Sequence, residues 1–319
     1  MAATSSDSGP LFYYISNKHA ILGLAFVGGF IDATGYVKLY GLFTSSITGN
    51  LVVASTAFFG NGVGIFARIF VSFAFGFGVF MASTWAITHR HVKKHNQWDM
   101  GVKLFGAEIA CLFITMIFGI GLDYSPGVFP GIDSWQAILM GTLLALSMGV
   151  HNAAAQEMIV NCPSTTVMTM TIVKTSMFAA NTLQYYLATR SLTSIHPPGE
   201  KPSDYEINMK KSYDNYMNKF IDSLKPLIVF VLGATIGAVL ALNMTYWSLI
   251  LPILVISSLV YSIYKAQQIY INIELIKNVD IEQQEYTLSP MTDSSTTIDN
   301  CSISDIQETE KDDNNIIIM

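Results

Sequence analysis

Charged side chains are scarce in this chain: Asp, Glu, Lys and Arg make up 13% of its 319 residues, about half the share of a soluble domain. That shortage argues against an ordinary soluble enzyme. A net charge of −6 argues equally against a protein that neutralises nucleic-acid phosphates. Cysteine is scarce too. Cys111, Cys162 and Cys301 are too few and too irregularly spaced for a disulfide framework or a zinc site. No Walker loop, H-E-x-x-H, G-x-S-x-G or paired-carboxylate pattern stands in a supporting context, so no enzymatic activity, metal or cofactor is expected. The first 18 residues lack a signal-peptide apolar core, which leaves the first hydrophobic helix to act as an uncleaved anchor.

What the chain has is apolar surface. Hydrophobic residues reach 51% and mean hydropathy is +0.42. The charge is also unevenly placed. Residues 267–319 hold 11 of the 23 acids but 2 of the 17 bases, so residues 1–266 carry a net +3. The expected organisation is a cytoplasmic segment 1–18, a polytopic membrane domain 19–265, and an acidic tail 266–319 too polar to fold.

A spanning helix needs about 20 mostly apolar residues. Six stretches qualify: Ala20 to Tyr40, Ile65 to Thr88, Leu104 to Leu122, Trp135 to Ala155, Pro226 to Leu242, and Trp247 to Tyr264. Ser45 to Phe59 is short and rich in Ser and Thr, and Thr165 to Thr189 carries Lys174 in its middle. Lys and Arg collect in cytoplasmic loops. Here they cluster at Arg90, Lys93, Lys94 and Lys103, and again at Arg190, Lys201, Lys210, Lys211, Lys219 and Lys225. Both clusters lie on one side if the two doubtful segments are re-entrant or half-depth. The expected fold is therefore all-α, with six spans, two short helices and both termini cytoplasmic, in a plasma or organelle membrane; eight full spans is the alternative. Within the basic loop 190–225, Ser203 and Glu206 have capping-box spacing ahead of an amphipathic helix.

Two segments echo each other. GGFIDATGYVKLYGLFTSSITGN starts at Gly28, and MGVHNAAAQEMIVNCPSTTVMTMT starts at Met148. Asp32 corresponds to Asn152, and Thr48-Gly49-Asn50 to Thr169-Met170-Thr171, at an offset near 120 residues. Repeat 1 would cover about 20–122 and repeat 2 about 134–265. An odd number of spans in each inverts the second copy, an arrangement common among secondary transporters.

These same segments resemble the signature of the YoaK-like family of uncharacterised polytopic membrane proteins. The likeness lies in GFIDA followed by TGN, and in MGVHNAA followed by TMT, and it covers about Ala20 to Tyr264. His151 stands where that family usually has Gln, and Met170 where it usually has Gly. The basic pair that usually follows the Asn-Ala element is missing. The resemblance implies a polytopic helical fold and no assigned chemistry.

An ionisable group inside a span is functional by default, because burying it costs about 2.5–3.5 kcal/mol on insertion scales. Asp32, among Gly28, Gly29 and Gly35, is read either as a proton or cation site or as a buried carboxylate bridging helices. Thr48, Gly49 and Asn50 open a half-helix whose free N–H groups could face a polar or anionic solute. Thr166, Thr169 and Thr171 would supply the opposite wall, although Ser and Thr also bond their own helices. Lys174 either pairs with Asp32 or Glu108 or snorkels to the surface. His151, beside Asn152, could relay protons or simply be hydrogen-bonded. Glu108, five residues from Lys103, is expected near the interface. Gly233-x-x-x-Gly237 suits tight helix packing or a homo-oligomer contact. The expected partners are the lipid bilayer and a small polar solute or ion. The leading expectation is a secondary transporter coupled to a proton or cation; the alternative is a membrane scaffold or sensor acting through its cytoplasmic loop and tail.

Overall fold

The computed structural model describes residues 17–60, 62–92, 97–123, 131–159, 168–193 and 203–288, and within them helices are the only regular secondary structure. Eight α-helices follow one another: α1 Asn17–Lys38, α2 Ile47–Phe59, α3 Ile65–Val92, α4 Gln97–Asp123, α5 Trp135–Met158, α6 Met168–Thr193, α7 Asp204–Met244 and α8 Ile250–Leu288. A 3-10 turn, Thr245–Leu249, separates α7 from α8. Among the described residues, five stretches are long and apolar enough to cross a membrane: His19–Lys38, Ile65–His89, Asp99–Leu122, Trp135–Met158 and Asp204–Ile269. The last is 66 residues long, about 99 Å if straight at 1.5 Å per residue, and it contains both of the last two expected spans.

The helix ends are explained by their sequences. Ser134 caps α5, its hydroxyl accepting from the Ala137 N–H at 3.3 Å. Ser203 and Glu206 make the expected capping box at α7, with bonds of 3.3 and 3.0 Å. α7 ends at Thr245, whose φ of 54° is a left-handed conformation costly for a β-branched residue. Tyr246 follows, 1% exposed. A side chain at Gly119 of α4 would collide with its ring.

α5 is the hub of the bundle, with Met140, Leu144, Ala145 and Met148 fully buried. It crosses α3 at a pair of glycines. A methyl on Gly149 would fall on the Phe75 carbonyl and the Val79 nitrogen, and one on Gly78 would fall on the Leu146 carbonyl. α1 crosses α7 in the same way. A methyl on Gly29 would fall on the Phe230 carbonyl and the Ala234 nitrogen, and one on Gly233 on the Phe26 carbonyl. Backbone-to-backbone packing of this kind is what small residues allow where lipid gives helices no hydrophobic drive to associate. Contacts advance in the same direction along both partners: Phe26 meets Gly233 and Phe30 meets Gly237, while Val71 meets Gly141 and Phe75 meets Gly149. Within each pair the helices are therefore parallel.

The end of α1, the start of α3 and the start of α5 come together. Arg68 donates to the Gly41 carbonyl at 2.9 Å, and the Gly64 N–H donates to Asp133 at 2.7 Å. A methyl on Gly141 would strike both Leu42 and Val71. α2, with 13 residues and about 20 Å of rise, starts and finishes at this one end. It is too short to traverse a core of about 30 Å. Elsewhere, Met158 at the end of α5 packs on Gly101 near the start of α4.

α6 packs antiparallel along the N-terminal half of α7. Thr175 donates to the Ser223 hydroxyl at 3.1 Å, Tyr185 stacks on Tyr216 at 5.2 Å, and Tyr186 meets Tyr213 at 6.0 Å. Residues 165–167 of the segment expected to be re-entrant lie outside the described residues.

The chain divides into a compact unit ending at Asn272 and a second unit, Ile273–Met319. Of the second, residues 273–288 are helical and the rest lies outside the described residues. The tail expected to be unstructured from residue 266 thus has a helical beginning. Residues 265–289 contain no Gly or Pro and several good helix formers, which outweighs their polarity.

Candidate functional site

Asp32 lies near the end of α1, 6% exposed. Its Oδ1 accepts the backbone N–H groups of Thr44 and Ser45, both at 2.9 Å, and the Thr44 hydroxyl at 3.4 Å. Its Oδ2 accepts the Ser46 hydroxyl at 2.6 Å. A turn presenting successive N–H groups is an anion site, and here the anion is the protein's own carboxylate. Asp32 thus fastens the approach to α2 onto α1, which is the bridging role open to it from sequence. Asn50, fully buried, clamps the same turn: its side chain accepts the Phe43 N–H at 3.1 Å and donates to the Phe43 carbonyl at 2.6 Å. Gly49 packs against the Phe43 ring, where any side chain would crowd it, and Thr48 is exposed.

The second half does not supply a facing wall in the expected way. Asn152 donates to the Met148 carbonyl one turn back, at 3.1 Å. Thr171 is buried and its carbonyl accepts the Thr175 hydroxyl at 2.7 Å, whereas Thr169 is exposed. Lys174 is exposed on α6 and lines a cavity of about 260 Å³ with Ile21, Thr171, Asp222 and Lys225. Ile21 precedes Asp32 by 11 residues, about 16 Å along α1. Lys174 and Asp32 are not brought together, and Thr166 lies outside the described residues.

Two groups gain an importance their sequence position hid. Glu108, expected near the interface, is fully buried, as is His151, and Glu108 Oε1 lies 2.8 Å from His151 Nδ1. The reason is that α4 begins at Gln97, before the expected Leu104, which sets Glu108 eleven residues into its helix. Glu108 Oε2, His151 Nε2 and the hydroxyl of Ser147, one turn before His151, have no hydrogen-bond partner among the described residues. Each such orphan costs about 1–3 kcal/mol, so the Glu108–His151 contact, with Ser147 one turn away on α5, is a candidate site. Arg68, 7% exposed, is the other. Its guanidinium donates to Gly41 and, at 3.4 Å, to Asn50, while its Nε is unpartnered among the described residues. The signal for Arg68 was a lone base four residues into an apolar run, easily read as an end-of-span cation.

Taken together, apolar helices long enough to cross a bilayer, exposed aromatic flanks such as Phe59, Phe66, Phe73 and Phe80, and buried polar groups define a helical multi-pass membrane protein. More particularly, residues 20–262 match a family described as a protein of unknown function (DUF1275), and the chain belongs to it. That coverage agrees with the extent expected from the signature segments. No curated protein and no solved structure matches the chain.

Proposed function

We propose that this protein is a secondary transporter for a small polar or anionic solute, built from two inverted repeats and six crossings, with α2 and α6 as the non-crossing helices. The observation that carries the reading is the correspondence of the two glycine crossings. Phe26 and Gly29 of α1 occupy the roles of Leu146 and Gly149 of α5, each 120 positions later. Phe75, Gly78 and Val79 of α3 occupy the roles of Phe230, Gly233 and Ala234 of α7, each 155 positions later. Asp32 and Asn152 share the 120-residue spacing. The extra 35 positions are accommodated by the longer α6–α7 hairpin. α1 ends where α5 starts, so the related helices run oppositely, as an axis in the membrane plane requires.

Arg68 supports an anionic solute. It is a buried guanidinium that hydrogen-bonds to a carbonyl and an amide oxygen rather than to a carboxylate; Asp133 is near enough to feel its charge, and an incoming anion would complete the compensation. The test is uptake of a labelled panel of small organic anions and polar metabolites by vesicles containing the purified chain. Uptake above that of empty vesicles, retained when residues 274–319 are deleted, is expected. Absence of uptake across the panel, with a cellular phenotype that depends on the tail, would favour the scaffold instead.

A further inference from the structure

The Glu108–His151 pair lies away from the ends of both helices. Glu108 is nine residues inside Asp99–Leu122 and His151 seven residues short of Met158, so each is at least about 10 Å from its helix end. A carboxylate or an imidazolium alone would be costly at that depth. Together, in contact at 2.8 Å, they carry no net charge when they hold one proton between them beyond the neutral imidazole's own. Removing that proton leaves one negative charge in the bundle, and adding another leaves one positive charge. Proton occupancy is thereby tied to any charge that enters or leaves nearby.

We propose that Glu108 and His151 form an intramembrane proton-binding site, with the Ser147 hydroxyl as the relay next to it. The unpartnered Glu108 Oε2 and His151 Nε2 are the atoms at which a proton enters and leaves, and the unpartnered Ser147 hydroxyl can both accept and donate one. Loading takes a proton from water and unloading returns it, and no other bond changes. The neighbouring elements leave the pair little competition. α4 adds Cys111 one turn on, and α3 has no titratable residue between Arg68 and His89. α1 offers Asp32, already committed to residues 44–46; the 3-10 turn offers Tyr246, and Tyr261, Tyr264 and Lys265 of α8 are exposed. This deepens the transport reading by assigning its coupling ion, while proton binding itself can be measured without any solute.

The experiment is infrared difference spectroscopy of the full-length chain in lipid vesicles, stepped between about pH 5 and pH 9. A titrating band of a protonated carboxyl or an imidazolium ring is expected in the wild type. It should be missing in Glu108→Gln, moved by about one pH unit or more in His151→Gln, equal to a tenfold change in proton affinity, and unchanged in Asp32→Asn. The wild-type titration needs no variant to fold. A wild type without such a band, or a band that survives both Glu108→Gln and His151→Gln, overturns the proposal. A band present in protein that moves no solute supports the proton site and counts against transport alone.

Discussion

Removing the Asp32 side chain separates its structural role from a proton- or solute-binding one. Asp32→Ala strips the partner from two buried backbone N–H groups, those of Thr44 and Ser45, and from the Ser46 hydroxyl. Each orphaned donor costs about 1–3 kcal/mol, and relaxation of the turn recovers part of that, so a loss of about 3–5 kcal/mol is expected. Asp32→Asn keeps an oxygen where Oδ1 accepts both N–H groups, and its amide can donate to Ser46 in place of the present bond. Only the charge assistance is lost, about 1–2 kcal/mol. Thermal unfolding of both variants in the same detergent should therefore rank wild type, Asn and Ala in that order, with Ala well separated. Vesicle uptake per folded molecule should be nearly normal for Asn. Refutation would be Asp32→Asn that unfolds like wild type yet transports nothing: Asp32 would then titrate or bind solute, and the clamp would be incidental.

Three further outcomes follow from the packing. Gly29→Ala and Gly149→Ala each drive a methyl into a facing carbonyl and should cost a similar amount, about 1–3 kcal/mol, in thermal unfolding. The control Gly106→Ala meets nothing within 4 Å and should be neutral or stabilising by up to about 1 kcal/mol. Ser203→Ala breaks the capping box and should lower stability by about 1 kcal/mol, visible as faster proteolysis of the α6–α7 hairpin with uptake unchanged. Arg68→Gln should weaken uptake of anions more than that of neutral polar solutes, read as a rise in KM; an equal loss for both would remove Arg68 from solute recognition.

How much of this was written in the sequence depends on what each signal reports. Apolar runs set the spanning helices, because length and hydropathy follow directly from bilayer thickness. Ser203 and Glu206 marked the start of α7, because a capping box is a local interaction. The proposed repeat shows in the sequence only as a few small and polar residues, and its firmest support is a pair of backbone crossings at Gly29 and Gly149 that no linear pattern displays. Asp32 was recognisable as buried, but its partners lie 12 to 14 residues ahead, across a turn whose conformation the sequence does not specify. Glu108 was misplaced because its depth was counted from Lys103, which α4 includes well inside its own first turns. His151 and Glu108 are 43 positions apart, and their contact depends on how α4 and α5 pack.

The inverted architecture on which the transport reading rests can be tested without knowing the solute. In a variant lacking Cys111, Cys162 and Cys301, single cysteines replace Tyr40 beyond the end of α1, Phe59 at the end of α2, and Tyr205 at the start of α7, all exposed. They are then probed with a membrane-impermeant maleimide in right-side-out and inverted vesicles. Tyr40→Cys and Phe59→Cys should label from the same face and Tyr205→Cys from the other. Labelling of Tyr40→Cys and Phe59→Cys from opposite faces would make α2 a full crossing and contradict the six-span inverted repeat.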